Sequence, residues 1–270
     1  MQEFSNVICG LKYANADLGE KTRDDVINRI AEKFKERSKE FSIKSPKLAD
    51  MEESVLYALK LNKFWGGGRI MANWGTPNSR TCLVNCTGLG KIEDSMDGIM
   101  EALTDCSKLL QSGAGVGGNF SPIRYNGAKV VGVGGEASGP ISFMKVFSTS
   151  CSTIKSSGSR RGALIGILDV RHPDIMEFIC CKDIRGMLDQ FNISVGVTEG
   201  FMDAVEKDLD WNLCFPVDSD NVIKTMKARE IWEAIQKHGY DHAEPGILFL
   251  DTANKYSTTH FHERIEQCNP

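Results

Sequence analysis

The chain has 270 residues, 41% hydrophobic and 25% charged, which is enough apolar content for one large domain or two small ones and argues against wholesale disorder. A net charge of −4 and a pI near 5.8 exclude a broadly basic nucleic-acid face, and no apolar run reaches the roughly 18 residues of a membrane span. The N-terminus lacks a charged-then-apolar leader, so the chain is read as cytoplasmic and its nine scattered cysteines as reduced thiols.

Residues 1–20 show little periodicity. Thr22-x-x-Asp25 has the form of a capping box, and Val26, Ile27, Ile30, Ala31 and Phe34 share one face, which predicts a helix ending near Phe41. A second helix is predicted from about Pro46 to Leu61, with Met51, Val55 and Leu59 inward, until Phe64-Trp65 and three glycines break the pattern. Ile70–Trp74 and Thr81–Cys86 read as short strands around a turn at Gly75–Asn78. Asp94-Ser95 then caps a helix whose Met96, Ile99, Met100, Leu103, Cys106, Leu109 and Leu110 align, and Ser112-Gly113 ends it.

Further on, Asn119–Arg124 reads as a strand or sheet edge and Asn126–Pro140 as a glycine-rich loop. Ile141–Ile154 is helical, Lys155–Gly162 is a polar loop and Ala163–Val170 is a strand. His172-Pro173-Asp174 opens a helix through Cys181, Phe191–Val197 is a strand, and Thr198-Glu199 starts another helix. Strands at Trp211–Phe215 and Gly246–Asp251 flank a helix at Lys227–His238. Repeated alternation of this kind implies an α/β chain with a mainly parallel sheet or barrel.

Four features carry candidate chemistry. The glycines from Gly113 to Gly118 follow a helix, whereas a dinucleotide turn must open one; a close-packed turn or another phosphate-contacting loop remains. Arg160 and Arg161 suit either a phosphate fork or a solvated basic loop. Cys82 and Cys86 on one strand would share a face, as redox thiols or as small buried residues. Cys82-x-x-x-Cys86 is only half of a structural zinc site, and His238, His242, His260 and His262 form no compact zinc pattern with the cysteines, so no metal site is expected. His172 is read as a helix-opening residue, and Glu244 and Asp251 as solvated or capping carboxylates.

Taken in order, GGGRIMANWGT, VNC, EDSMDGIM, SGAGVGGNFSPIR, ASGPISFMKVF, SGSRRGA, HPDIMEFICCK, FNISVGVTEGFM and EPGILFLD resemble the large catalytic subunit of ribonucleotide reductases, from about Gly66 to the last residue. RRGA, HPDIMEFI and FNISVGVT are most similar to the adenosylcobalamin-dependent class, with the diiron-dependent catalytic subunit as the alternative. The resemblance implies that residues 66–270 form the N-terminal part of the family's ten-stranded α/β barrel, after a small helical segment at 1–65. It also implies reduction of a ribonucleoside di- or triphosphate by thiyl-radical chemistry, with adenosylcobalamin, deoxynucleoside triphosphate effectors, an external dithiol reductant and possible homodimerisation. No nucleic-acid or membrane partner is expected.

On the matching positions, the resemblance makes Cys86 a redox thiol and Asn269 a catalytic asparagine. It places Asn85 and Arg160 at the substrate, and assigns Asp94, Gln111, Arg124, Ser156, Ser157, Gly158, Ser159 and Arg161 to effector recognition. The family's site reads Asn-Pro-Cys-Gly-Glu, whereas this sequence stops at Asn269-Pro270, without the radical cysteine or the glutamate. The expectation is therefore a chain inactive alone and completed by a C-terminal half, either a separate chain or one joined through an intein. A non-catalytic nucleotide-binding or assembly module is the competing expectation.

Overall fold

A computed structural model describes residues 2–40, 47–77, 81–132, 134–154, 162–259 and 261–268. Two units emerge, one built on Met1–Asn85 and the other on residues 86–156 and 161–270, whereas the sequence expectation divides the chain at 65/66.

The first unit is helical: α1 Gln2–Tyr13, α2 Arg23–Glu40, α3 Lys47–Lys60 and α4 Gly68–Asn73. The predicted capping box forms at α2, where Asp25 Oδ2 accepts the Thr22 N–H at 2.8 Å and Thr22 Oγ1 accepts the Asp25 N–H at 3.2 Å. Cys9, Val26, Ile27, Ile30, Leu59 and Met71 make its core. Arg29 crosses that core to pair with Glu20 at 2.7 Å and donates to the carbonyls of Tyr13, Met71 and Trp74, so a buried cation fastens α2 to α1 and α4. One stretch without a sequence expectation turns out helical, and one expectation fails. Residues 2–13 are helical despite their weak periodicity, and the strand expected at Ile70–Trp74 is mostly α4, because Ile70, Met71 and Trp74 at helical spacing pack on the same core.

In the second unit a five-stranded parallel sheet runs in the order β1 Cys86–Gly88, β2 Gly115–Asn119, β3 Leu164–Asp169, β4 Phe191–Val197 and β7 Gly246–Phe249. Between them lie α5 Met96–Ser112, α6 Gly139–Thr153, α7 Ile175–Cys180, α8 Glu199–Glu206, an antiparallel hairpin of β5 Asp210–Cys214 and β6 Val222–Lys227, and α9 Ala228–His242. Helix α10, Leu250–Tyr256, follows β7. Each strand pairs with the next parallel strand in sequence, and one core joins residues of α5 through α9 to Val116, Leu164, Leu168, Phe191, Ile193, Val195 and Val197. Helices stacked on a single face of sequentially ordered strands are the arrangement of a barrel wall, not of a doubly wound sheet.

Helix α5 follows its sequence signals. Ser95 Oγ accepts the Gly98 N–H at 3.0 Å, and Gly113 closes the helix at φ +94°, where a side chain would be strained. The glycines after it form strand β2 and not a loop, and Asn119–Arg124, expected to be extended, begins as the strand's end and becomes a turn. Only Cys86 of the expected 81–86 strand is extended, so Cys82 and Cys86 do not share a strand face. The hairpin partner β6 and helix α10 carried no sequence expectation.

Candidate active-site face of the sheet

Alternation along the strands sorts the second unit's sheet into two faces. Val116 points into the helix-covered core, so Gly115, Gly117 and Asn119 point the other way, and the register carries this inner face to Cys86 and Gly88 on β1 and to Ile165, Ile167 and Asp169 on β3. It continues through Asn192, Ser194 and Gly196 on β4 to Gly246 and Leu248 on β7. Thiol, amide, hydroxyl and carboxylate groups stand there among glycines.

Two of those glycines, Gly88 and Gly117, lie beneath another segment. A Cβ built on Gly117 would stand 1.8 Å from the carbonyl oxygen of Cys268, and one on Gly88 would stand 2.6 Å from Gln267 Nε2. Gln267 Oε1 accepts the Asn119 N–H at 3.2 Å, and its amide donates to the Leu89 carbonyl. Asn254 of α10 holds the same segment, donating to the Ile265 carbonyl at 2.8 Å and accepting the Ile265 N–H at 2.7 Å. The backbone at Cys268 thus rests on Gly117, one two-residue step, about 7 Å, from the row formed by Gly115 and Cys86.

Cys86 is half-exposed on this face. Asp169 ends β3 on the same face but six residues further along the strands than the row of Cys86, accepting the Arg171 N–H at 2.8 Å; burial raises its carboxyl above the usual range, opposed by that N–H and by the charges of Arg171 and Arg264. Sequence reading missed Asp169, Gln267 and Asn254. Period-two counting along Leu164–Asp169 would have placed Asp169 with Ile165 and Ile167, but the two amides act through contacts that no local pattern reveals.

The effector candidates separate. Asp94 and Arg124 are brought together: Arg124 Nε reaches Asp94 Oδ2 at 2.9 Å, its backbone N–H reaches Oδ1 at 3.1 Å, and Nη2 donates to the Asp94 carbonyl at 3.1 Å. Gln111 is exposed at the far end of α5, roughly 24 Å along the axis from that pair at 1.5 Å per residue. A cleft of about 560 Å³ beside α5 is lined by Lys91 and Lys108 against Glu93, Glu101 and Asp105, a balance that disfavours a triphosphate. Asn85, in the first unit, is exposed and accepts the Arg69 N–H at 3.1 Å. Ser156, Ser157, Gly158, Ser159, Arg160, Arg161 and Asn269 lie outside the described residues.

His172 is buried, not surface-exposed at the start of α7. Its Nε2 meets the Ile123 carbonyl at 2.9 Å while Nδ1 accepts the Asp174 N–H at 3.0 Å, the pattern of a neutral ring, and burial lowers its pKa to about 4. Asp251 does cap: its Oδ2 accepts the Glu199 N–H at 2.6 Å at the start of α8. Glu244 instead pairs with Lys182 at 3.1 Å.

The family model for the ribonucleotide reductase barrel domain matches residues 82–270, which contain the whole five-stranded sheet. The vitamin B12-dependent ribonucleoside-diphosphate reductase of Thermoplasma acidophilum is 41% identical over 203 residues, 72% of this chain and 26% of that protein. Its counterpart in Mycobacterium tuberculosis is 37% identical over 203 residues, 72% of this chain and 29% of that protein. The vitamin B12-dependent ribonucleotide reductase of Streptomyces avermitilis is 30% identical over 289 aligned residues, 96% of this chain and 30% of the relative. The chain therefore spans between about a quarter and a third of these relatives' length. With the matched region coinciding with sequentially ordered parallel strands under one helical layer, the chain belongs to the ribonucleotide reductase family and carries part of its α/β barrel domain.

Proposed function

We propose that this chain supplies the first strands of the catalytic barrel of a cytoplasmic, adenosylcobalamin-dependent ribonucleotide reductase, with Cys86 as one of its two reducing thiols. The observation that carries the reading is the segment through Gln267 and Cys268, laid on Gly88 of β1 and Gly117 of β2 on the same sheet face as Cys86. That segment leads into Asn269, where the resemblance puts the catalytic asparagine. Asn85 and Arg160 are proposed as substrate contacts, and Asp94, Gln111, Arg124 and the Ser156–Arg161 loop as effector contacts.

In the reduction, the ribose 2′-hydroxyl leaves as water and two thiols become one disulfide, so the nucleotide gains two electrons and an external dithiol must restore the pair. Cys86 suits that role because it stands half-exposed on the polar face, whereas Cys106 and Cys181 are buried in the opposite layer with pKa values pushed up to about 12 by burial. Adenosylcobalamin would supply radical initiation when bound. The one cleft of this size named above is lined by charged side chains and does not include Cys86, so it does not fit a corrin placed beside that thiol. Cofactor contact is therefore assigned to other parts of the enzyme, as are the second reducing thiol and the radical cysteine. Homodimerisation is proposed through α5, where Met96 is exposed: antiparallel helices from two copies would bring the Gln111 of one to the Asp94–Arg124 pair of the other.

The test is deoxyribonucleotide formation from ribonucleoside di- and triphosphates, with adenosylcobalamin and a dithiol, by the chain alone and by the chain completed with the C-terminal half. Turnover is expected only in the completed enzyme. There, Cys86→Ser should reduce multiple turnover to background while Cys82→Ser retains it. Turnover by the isolated chain, or undiminished turnover in Cys86→Ser, overturns the reading.

A further inference from the structure

The helical layer on the opposite side of the sheet holds a second group of chemistry-bearing side chains, contrary to the expectation that the histidines and cysteines form no compact pattern. Helix α7 ends at Cys180, a short 3-10 turn runs Cys181–Asp183, and α9 brings His238 and His242, four residues apart, to the same place. Cys180 Sγ lies 3.4 Å from His238 Nε2. Asp183 Oδ1 lies 3.0 Å from His238 Nδ1 and 3.0 Å from His242 Nε2. One ligand atom from each of Cys180, Asp183 and His238 falls within 4.8 Å of the other two.

A second observation singles out His238. Its side chain is 9% exposed, and its Nδ1 makes no hydrogen bond even though the Asp183 carboxylate stands 3.0 Å away. A buried ring nitrogen left this way costs free energy unless another group takes its lone pair. The charges around the cluster also favour a cation. The Asp183 carboxylate stands 3.0 Å from a ring nitrogen of each imidazole, while the neighbouring Lys182 is turned away onto Glu244 and the carbonyls of Leu188 and Phe191.

We propose that Cys180, Asp183 and His238, with His242 as a fourth donor, form a binding site for a zinc-type divalent cation that ties α7 to α9. Thiolate with imidazole selects zinc-like ions over magnesium or calcium, whose ligands are oxygens. Zinc–sulfur and zinc–nitrogen bonds of about 2.3 and 2.0–2.1 Å put tetrahedral ligand atoms about 3.3–3.6 Å apart. Only one nitrogen of the His238 ring can hold the ion: Nδ1 stands 3.0 Å from Asp183 Oδ1, which is also 3.0 Å from His242 Nε2, both near that spacing, and the half-exposed Cys180, whose Sγ now faces Nε2 at 3.4 Å, turns toward Nδ1 to complete the set. Metal binding deprotonates Cys180 and releases that proton to solvent, with no change of redox state. A hydrogen-bonded thiol–imidazole–carboxylate relay would use the same residues, but it requires the Asp183–His238 hydrogen bond that is missing. The site is on the other face from Cys86 and stands independently of the reductase reading.

The 270-residue chain, stripped with chelator, is titrated with Zn²⁺ and with Co²⁺ alone. Expected are one tightly retained metal per chain by elemental analysis and, with Co²⁺, the thiolate charge-transfer and tetrahedral d–d bands. Cys180→Ser should remove the charge-transfer band, His238→Ala should weaken binding at least tenfold and His242→Ala by less, while Cys82→Ser leaves the spectrum unchanged. Circular dichroism of the metal-free variants checks that they fold, and the wild-type titration decides the matter even where one does not. No retained zinc and no thiolate–cobalt band in the wild type, or an unchanged band in Cys180→Ser, overturns the proposal.

Discussion

The two faces of the five-stranded sheet are made by alternate residues of the same strands, and they share almost nothing else. Toward the helices point Val116, Leu164, Leu168, Phe191, Ile193 and Val195, each at most 3% exposed and joined to one core. Phe120 packs edge-on against both Phe147 and Phe191, and Gly166 is small because Met144 would stand 2.3 Å from a Cβ there. Toward the other side point Cys86, Asn119, Asp169, Asn192 and Ser194, spaced by glycines that receive backbone or amide groups of the 265–268 segment. The difference teaches that glycine has opposite uses on the two faces. At Gly166 on the helical face it makes room for a neighbour's side chain, whereas at Gly117 on the inner face it lets a distant stretch of backbone lie one step from the row that carries the thiol.

Substitutions should divide along the same line. Phe191→Ala removes an aromatic ring from the helical face and should cost about 3–5 kcal/mol in urea unfolding; a loss under 1 kcal/mol would mean that this face is not the stabilising one. Next is the pH dependence from His172. Its folded pKa, about 4, lies below the unfolded value near 6.5, so the unfolded chain binds the extra proton between them. The stability from keeping the ring neutral is complete above pH 6.5, declines as pH falls, and about 3 kcal/mol is gone near pH 4. Urea midpoints of wild type and His172→Gln across that range should converge toward low pH.

Gly117→Ala sets a methyl against the Cys268 carbonyl and should cost about 1–3 kcal/mol, expressed as release of the 265–268 segment with the helical core intact. Hydrogen exchange at the Asn119 amide reads this directly, and unchanged protection there would separate the glycine from the segment. The smallest effect belongs to Arg124→Ala. Its pair with Asp94 leaves both side chains nearly 30% exposed, so solvent screening limits the loss to about 1 kcal/mol or less, shrinking further in salt.

Much of this molecule was legible before any coordinates. The Thr22–Asp25 capping box, the Ser95 cap and Gly113 stop of α5, and the β-rich runs at β3, β4 and β7 announce themselves through spacings of two to four residues. The motif series likewise pointed to a reductase barrel, and the family match covers all of it but the first motif, from residue 82 onward. Legibility failed where local polarity misled. The glycines after α5 looked like a loop because their neighbours across the sheet were unknown, and strand β6, almost wholly exposed, carried no apolar alternation.

By itself, then, the sequence determined the α/β alternation, most helix limits and the family, because caps, periodicity and motif order act between near neighbours or survive as text. Tertiary structure alone decided which face each strand residue took, that Gly117 lies beneath Cys268, and that Asp94 meets Arg124 while Gln111 does not. It also decided that Cys180 and His238, 58 residues apart, come within 3.4 Å. Such contacts are set by the closing of long loops around a shared core, a free-energy balance of the whole unit that no short window of residues contains.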